Sequence, residues 1–288
     1  MQESYHTSRI LTPEEFSFAV EMMDTYSWIN RPIHRRGFDE MIDRLIKKPE
    51  ERKLLSELLE KFSYIGLDEC EELFQRIIDK LSEWGCTWDN TVFLATRNKS
   101  KDNDGSIVFL KKLQDRLFGW RDDNFVNKYE SNWHFSSIKR FTKVVLMDDF
   151  IGSGETMNER LLMIRDELSK TPMKHEIYVI ALAGMEKSKD SFPELSKDNV
   201  FVPLWLKKAF DRATDVDKTR VMDEILSRLN KTNNDGKKNR LIRFGYGYKD
   251  TAGLYFNVFF RIPNNVLAIF WWGCFEGKVV YHSMFRRA

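Results

Sequence analysis

Apolar positions in the first ninety residues recur at spacings of three and four. Phe16, Val20 and Met23 fall on one side of a helix that opens at Thr12-Pro13-Glu14-Glu15. There a Thr with Glu three positions on forms a capping box, and Pro takes the first helical position. Phe38, Ile42 and Leu45 mark a second helix. Leu55, Leu58, Leu59 and Phe62 mark a third from Pro49, and Leu73, Phe74, Ile77 and Leu81 a fourth after Asp68. Each spacing is close to the helical repeat, so residues 1–90 are expected to be an α-helical part with one buried stripe per helix.

The pattern changes at Thr91. Thr91 to Ala95, Val144 to Met147, Ile177 to Leu182 and Val200 to Leu204 are short apolar runs without alternation. Helices are expected between them, from about Ser106 to Leu117 and along the face of Met157, Leu161, Ile164 and Leu168. Unalternated strands separated by helices predict a parallel sheet covered on both faces, an α/β domain over about 90–210. A further helix is expected from Val216 to Leu229, then a polar loop from Asn230 to Arg240. Leu254–Phe260, Leu267–Trp272 and Val279–His282 read as strands, with Glu276-Gly277 as a turn, which makes the C-terminal part β-rich.

Composition narrows the classes. The 288 residues carry 46 Lys and Arg against 44 Asp and Glu, a net charge of +2, so no global basic field marks a nucleic-acid binder. Cys70, Cys86 and Cys274 are too few and too scattered for a disulfide framework or a four-cysteine zinc site, and read as free thiols of a cytoplasmic protein. The N-terminal MQESYHTSRIL has no apolar core of a signal peptide. The longest apolar run, from Val266, is about half of the roughly 20 residues that span a bilayer, so no membrane contact is expected. His6, His34, His134, His175 and His282 form no metal spacing.

One segment carries chemistry: VVLMDDFIGSGET, from Val144 to Thr156. A buried strand is expected to end at Met147, with Asp148 and Asp149 at its C-terminal end, where ligands of α/β sheets bind. Gly152 and Gly154 let the backbone approach a ligand and turn N–H groups toward it. The helix start that follows adds free N–H groups and the positive end of a dipole, and Ser153 and Thr156 add hydroxyls. This is a cradle for one phosphate. Two carboxylates beside it make sense if they face sugar hydroxyls or a magnesium ion, which points to a ribose 5-phosphate. The loop has no Lys and is not a P-loop, and Met157 stands where a dinucleotide fingerprint needs a third Gly or Ala.

The same stretch resembles the PRPP-binding loop of the type I phosphoribosyltransferases: apolar strand, two acids, two apolar residues, then a small residue, Thr or Ser, Gly, any residue and Thr. The resemblance implies a type I phosphoribosyltransferase-like α/β fold over residues 91–288, with the β-rich C-terminal part as a hood. It implies that Asp148 and Asp149 bind the ribose hydroxyls, meet Mg2+ directly or through water, and act in catalysis. It also implies that Gly152, Ser153, Gly154, Glu155 and Thr156 hold the 5-phosphate. Glu155 departs from the pattern, because a carboxylate there disfavours phosphate unless it points away. The loop after the first core strand, Thr96-Arg97-Asn98-Lys99, takes the place of the family's pyrophosphate loop, and Arg97 and Lys99 suit its charge. Trp205 is the candidate platform for a base.

A narrower resemblance lies further on. Phe244-Gly245-Tyr246-Gly247-Tyr248, and Ile262-Pro263-Asn264-Asn265 running into Ile269-Phe270-Trp271, are similar to the phosphoribosyltransferase-like proteins of bacterial conflict systems. This implies an effector of antiphage defence, retron-like or toxin-like, with a protein or nucleic-acid partner; a homo-oligomer is also compatible with it.

Each signal has a plainer counterpart. Asp148 and Asp149 with their glycines also fit a helix cap and turn. Arg97 and Lys99 fit a solvated loop, Trp205 and Trp271-Trp272 a packed core, and Gly245 to Tyr248 a turn. The leading functional expectation is an enzyme that takes PRPP or a nucleotide with magnesium and works at ribose C1. The alternatives are a sensor that binds the same ligand without turnover, and a toxin held silent by a partner.

Overall fold

The structure is a computed structural model and describes residues 10–96, 105–126, 138–229, 240–273 and 282–285. The described helices, in chain order, are α1 (Pro13–Thr25), α2 (Pro32–Arg44), α3 (Pro49–Glu60), α4 (Leu67–Glu83), α5 (Gly105–Gln114), α6 (Glu155–Ser169), α7 (Val216–Ser227) and α8 (Arg240–Phe244). The strands are β1 (Ser63–Ile65), β2 (Thr91–Ala95), β3 (Phe125–Val126), β4 (Lys143–Ile151), β5 (Glu176–Met185), β6 (Val200–Phe201), β7 (Leu204–Leu206) and β8 (Tyr255–Asn257). They fall into two compact units. One comprises Ile65–Lys207 with Asn257–Phe260, the other Met1–Tyr64, Lys208–Phe256 and Arg261–Ala288.

The first unit is built on the parallel sheet that the apolar runs predict. Its order is β3-β2-β4-β5-β6, and β7 also pairs with β5. Register is fixed along the centre, with Val92 opposite Val144, and Leu146 opposite Val179. Val144 and Leu146 pack with Leu161, Ile164 and Leu168, so the apolar stripe of α6 covers their face as its spacing requires. Alternation turns Val145 and Met147 to the opposite face. The helices α4 and α5 pack together there through Phe74 and Phe109, whose ring centroids are 5.6 Å apart. The outermost β3 follows a 3-10 turn at Asp122–Asn124, and its Phe125 stacks on Phe93 at 5.2 Å. Its two residues are too short to carry a pattern.

The second unit holds α1–α3, α7 and α8. The capping box of α1 forms as expected: Glu15 N–H donates to Thr12 Oγ1 at 3.2 Å, and Thr12 N–H donates to Glu15 Oε2 at 2.9 Å. Its buried face is set by Ala19, Met22 and Met23, whereas Phe16 is 62% exposed. The expected stripe was therefore rotated by one position. Helix α7 packs on α3, and the buried Glu51 carboxylate accepts from Arg228 Nη2 at 2.7 Å and from the N–H groups of Lys47 and Lys48.

The C-terminal segments depart most from expectation. Only Tyr255–Asn257 of the run from Leu254 is a strand. Residues 267–272, expected as a strand, contain a 3-10 turn at Ala268–Phe270. Trp272 N–H donates to Ala268 O at 2.8 Å and Trp271 Nε1 to Val266 O at 2.8 Å, so this backbone is satisfied locally. Burial on every side removes the periodicity that tells strand from helix. Trp271 and Trp272 are buried, as the packed-core reading has it. The expected strand at 279–282, apart from His282, and the loop 230–239 lie outside the described residues, as do Cys274, Glu276-Gly277, His6 and His134.

The turn before this region is tightly determined. Gly247 has φ 75°, and a methyl group there would overlap the Asn265 carbonyl. Lys249, Asp250 and Ala252 are also left-handed, at φ 55°, 56° and 44°. The buried Thr251 hydroxyl, within 2.9 Å of Tyr248 O and 2.8 Å of Asn265 O, holds the turn against that strain.

Candidate active site

Strand β4 does not stop at Met147. It continues through both acids to Ile151, with Asp148 opposite Ala181 and Phe150 opposite Ala183 on β5. The carboxylates thus stand within the C-terminal half of a central strand rather than on a loop beyond it. A neighbouring strand long enough to pair with them, Glu176–Met185, is what extends the ladder.

Asp148 is half-buried and held from two sides. Thr96 donates its hydroxyl to Asp148 Oδ2 at 2.8 Å, and Asp149 N–H donates to Asp148 Oδ1 at 3.0 Å. Thr96 itself is buried, and its N–H donates to Met147 O at 2.9 Å, one step beyond the end of β2. Asp149 lies on the other face of β4, against the first residue of α5. A methyl group built on Gly105 would overlap the Asp149 carboxyl carbon and both of its oxygens. A side chain at this position would displace the Asp149 carboxylate from where it lies.

The turn after β4 has the expected form. Gly154 is left-handed at φ 80° and caps α6, whose first hydrogen bond runs from Asn158 N–H to Gly154 O at 2.9 Å. Gly152 and Gly154 are buried, Ser153 is half-buried, and Glu155 and Thr156 are exposed on the first turn of α6. Glu155 sits where the helix dipole favours a carboxylate.

The floor of this turn comes from the 3-10 segment Glu186–Ser188 that follows β5. The buried Ser188 hydroxyl lies 2.7 Å from Gly152 O, a carbonyl that it reaches as donor. A methyl group on Gly154 would come within 2.5 Å of Ser191 Cβ. Gly105, Ser188 and Ser191 are neighbours of the candidate site that sequence reasoning missed. The run KSKDS reads as a solvated loop and NDG as a plain turn, so neither carries a signal.

Trp205 stands on β7 opposite Gly184, and its ring is packed against Gly184 and the core while Lys189 Nζ sits 5.4 Å from its centroid. Arg97, Asn98 and Lys99 lie outside the described residues. Among the described residues, no three or more His, Cys, Asp or Glu side chains gather as metal ligands. Magnesium binds through one or two protein carboxylates and takes the rest of its shell from water and substrate phosphates, so Asp148 or Asp149, on their separate faces of β4, could each serve as one such ligand.

The model of the family PRTase-CE matches residues 28–287, which takes in the strand, both acids, the turn and the C-terminal segments. The chain belongs to the PRTase-CE family. A phosphoribosyltransferase-like protein is thus what the strand–acid–acid–turn–helix order belongs to in this chain. Among solved structures, the xanthine-guanine-hypoxanthine phosphoribosyltransferase of Helicobacter pylori is similar at 12% identity, over 55% of this chain and 96% of that one, with a TM-score of 0.29. No curated protein matches the chain. Among the described residues, no helix is long and apolar enough to cross a membrane.

Proposed function

We propose that this PRTase-CE protein binds PRPP or a nucleotide 5-phosphate, with magnesium, and transfers or cleaves at ribose C1. The observation that carries the reading is the placement of two adjacent carboxylates near the C-terminal end of a central parallel strand. Two strand residues, Phe150 and Ile151, and the turn Gly152-Ser153 follow them, and then a left-handed glycine, Gly154, opens a helix of 15 residues.

In this reading, backbone N–H groups of 152–156 and the start of α6 hold the 5-phosphate. Asp148 and Asp149 accept hydrogen bonds from the ribose hydroxyls and orient the ring. The bond from C1 to the leaving pyrophosphate breaks with its electron pair on the pyrophosphate oxygen, while a lone pair of the acceptor forms the new bond to C1. Positive charge on the ring in between is offset by the two fixed carboxylates. Asp148 and Asp149 would hold magnesium directly or through water, and the ion would supply charge to balance the phosphates. Arg97 and Lys99 would serve the same charge, and Trp205 would border the base.

The similarity of Phe244 to Tyr248 and of Ile262 to Asn265 to proteins of bacterial conflict systems supports a role as an effector in antiphage defence. The test is pyrophosphate release from PRPP across bases and nucleotides as acceptors. Asp149→Asn is expected to lower the rate about a hundredfold or more, the scale of losing one fixed electrostatic group. A wild type that binds PRPP but releases no pyrophosphate with any acceptor would overturn the enzyme and leave a sensor.

A further inference from the structure

Thr96 and Gly105 stand on either side of residues 97–104, and each meets one of the two acids. Thr96 gives its hydroxyl to Asp148 Oδ2 at 2.8 Å, and the other oxygen of Asp148 takes the N–H of Asp149 at 3.0 Å. Both oxygens of Asp148 are therefore spoken for by donors from fixed backbone positions, and its carboxylate plane is set. Gly105 has no space for a side chain, because the Asp149 carboxylate occupies that space. The two acids point to opposite faces of β4, as adjacent residues of a strand must. Without partners on each face, nothing would hold them in one arrangement toward a common ligand.

We infer that Thr96 and Gly105 are positioning residues that set the two carboxylates for a pair of sugar hydroxyls, and so determine selectivity for ribose phosphates over bare phosphate. This rests on the functional reading above and adds to it a division of labour. The 152–156 turn binds any phosphate, whereas Thr96 and Gly105, acting through Asp148 and Asp149, decide whether the sugar is recognised. Thr96, expected to contact pyrophosphate, thereby takes a different role. Its hydroxyl is turned to the acid, and its N–H is committed to Met147 O.

The test measures the affinity of the full chain for ribose 5-phosphate and for inorganic phosphate, both with magnesium, by calorimetry and phosphorus NMR. Thr96→Val keeps the shape and removes the donor. By loosening Asp148 it is expected to weaken ribose 5-phosphate by up to about tenfold, a part of the worth of one hydrogen bond to a charged group. Inorganic phosphate should stay within about twofold, because the turn that binds it is untouched. Thr96→Ser restores the hydroxyl and should restore the ratio. Gly105→Ala should lower the ratio in the same direction, and a thermal melt of each variant separates this from misfolding. An unchanged ratio in Thr96→Val, or equal loss of both ligands, overturns the inference while the function stands. A wild type that binds neither ligand overturns the functional reading itself, and the inference with it.

Discussion

Replacing Gly154 by Ala probes the turn after β4 without touching either acid. Two costs are separable. The first is conformational: Gly154 has φ 80°, where a Cβ costs about 1–2 kcal/mol. The second is steric. The new methyl would lie 2.5 Å from Ser191 Cβ and 2.6 Å from Ser191 Oγ, and overpacking of this kind costs about 1–3 kcal/mol. The sum is about 2–5 kcal/mol, if the turn keeps its shape. Ser191→Gly removes both clashing atoms and leaves the strained φ. In the Gly154→Ala background it should therefore recover the steric part and not the conformational part. Urea unfolding of the wild type, both single variants and the double variant gives the four corners of a cycle. A coupling of about 1–3 kcal/mol is the expected result. A Gly154→Ala change of less than about 0.5 kcal/mol, typical of an unconstrained surface site, would mean that the turn is not left-handed at this residue.

Two further predictions concern the unit that contains α1–α3. His34 is buried among Trp28, Tyr64, Phe256 and Phe285; burial holds it below its ordinary value, the Met284 carbonyl opposes this, and Arg31 adds to it. The unfolded chain takes a proton there below about pH 6.5 and the folded chain only at lower pH, so stability should fall as pH drops from about 6.5, by at most about 1.4 kcal/mol per unit. His34→Gln should flatten that slope in urea midpoints taken between neutral and mildly acidic pH. Arg228→Ala strands the fully buried Glu51 carboxylate and should cost about 3–5 kcal/mol, whereas Arg228→Lys should cost less. Burial raises Glu51, but the Arg228 hydrogen bond and the Lys47 and Lys48 N–H groups hold it below 4.5, so its contribution is present at neutral pH and is lost on acidification below that value. Thermal melts of both variants check the order.

The parallel sheet was legible because each of its inner strands is buried on both faces and so reads as an unbroken apolar run. The stripe Met157, Leu161, Ile164 and Leu168 was legible for the opposite reason, since one helix face is buried and the other is not. The strand, glycine turn and helix around the acids were legible because an apolar run, two glycines and an apolar helical stripe follow one another in order. What was not legible depends on partners distant in sequence. Strand β4 runs past Met147 because β5 is long enough to pair with it. Phe16 is exposed because packing selects Ala19, Met22 and Met23 instead. The 3-10 turn in the run from Leu267 could not be told from a strand, because an apolar segment buried all round carries no period. Gly105, Ser188 and Ser191 look like ordinary loop residues until the fold brings them against Asp149, Gly152 and Gly154.

The central claim is that Asp148, Asp149 and the turn at 152–156 form one site for a ribose 5-phosphate. Its most direct test is a calorimetric titration of PRPP into the full chain with magnesium, repeated with ribose 5-phosphate as competitor and with Asp149→Asn. The account predicts saturable binding at one site, displaced by ribose 5-phosphate and weakened about tenfold or more in the variant, which loses a charged hydrogen-bond acceptor. Binding that Asp149→Asn leaves unchanged, or a wild type that gives no heat and no thermal shift with PRPP, would contradict it.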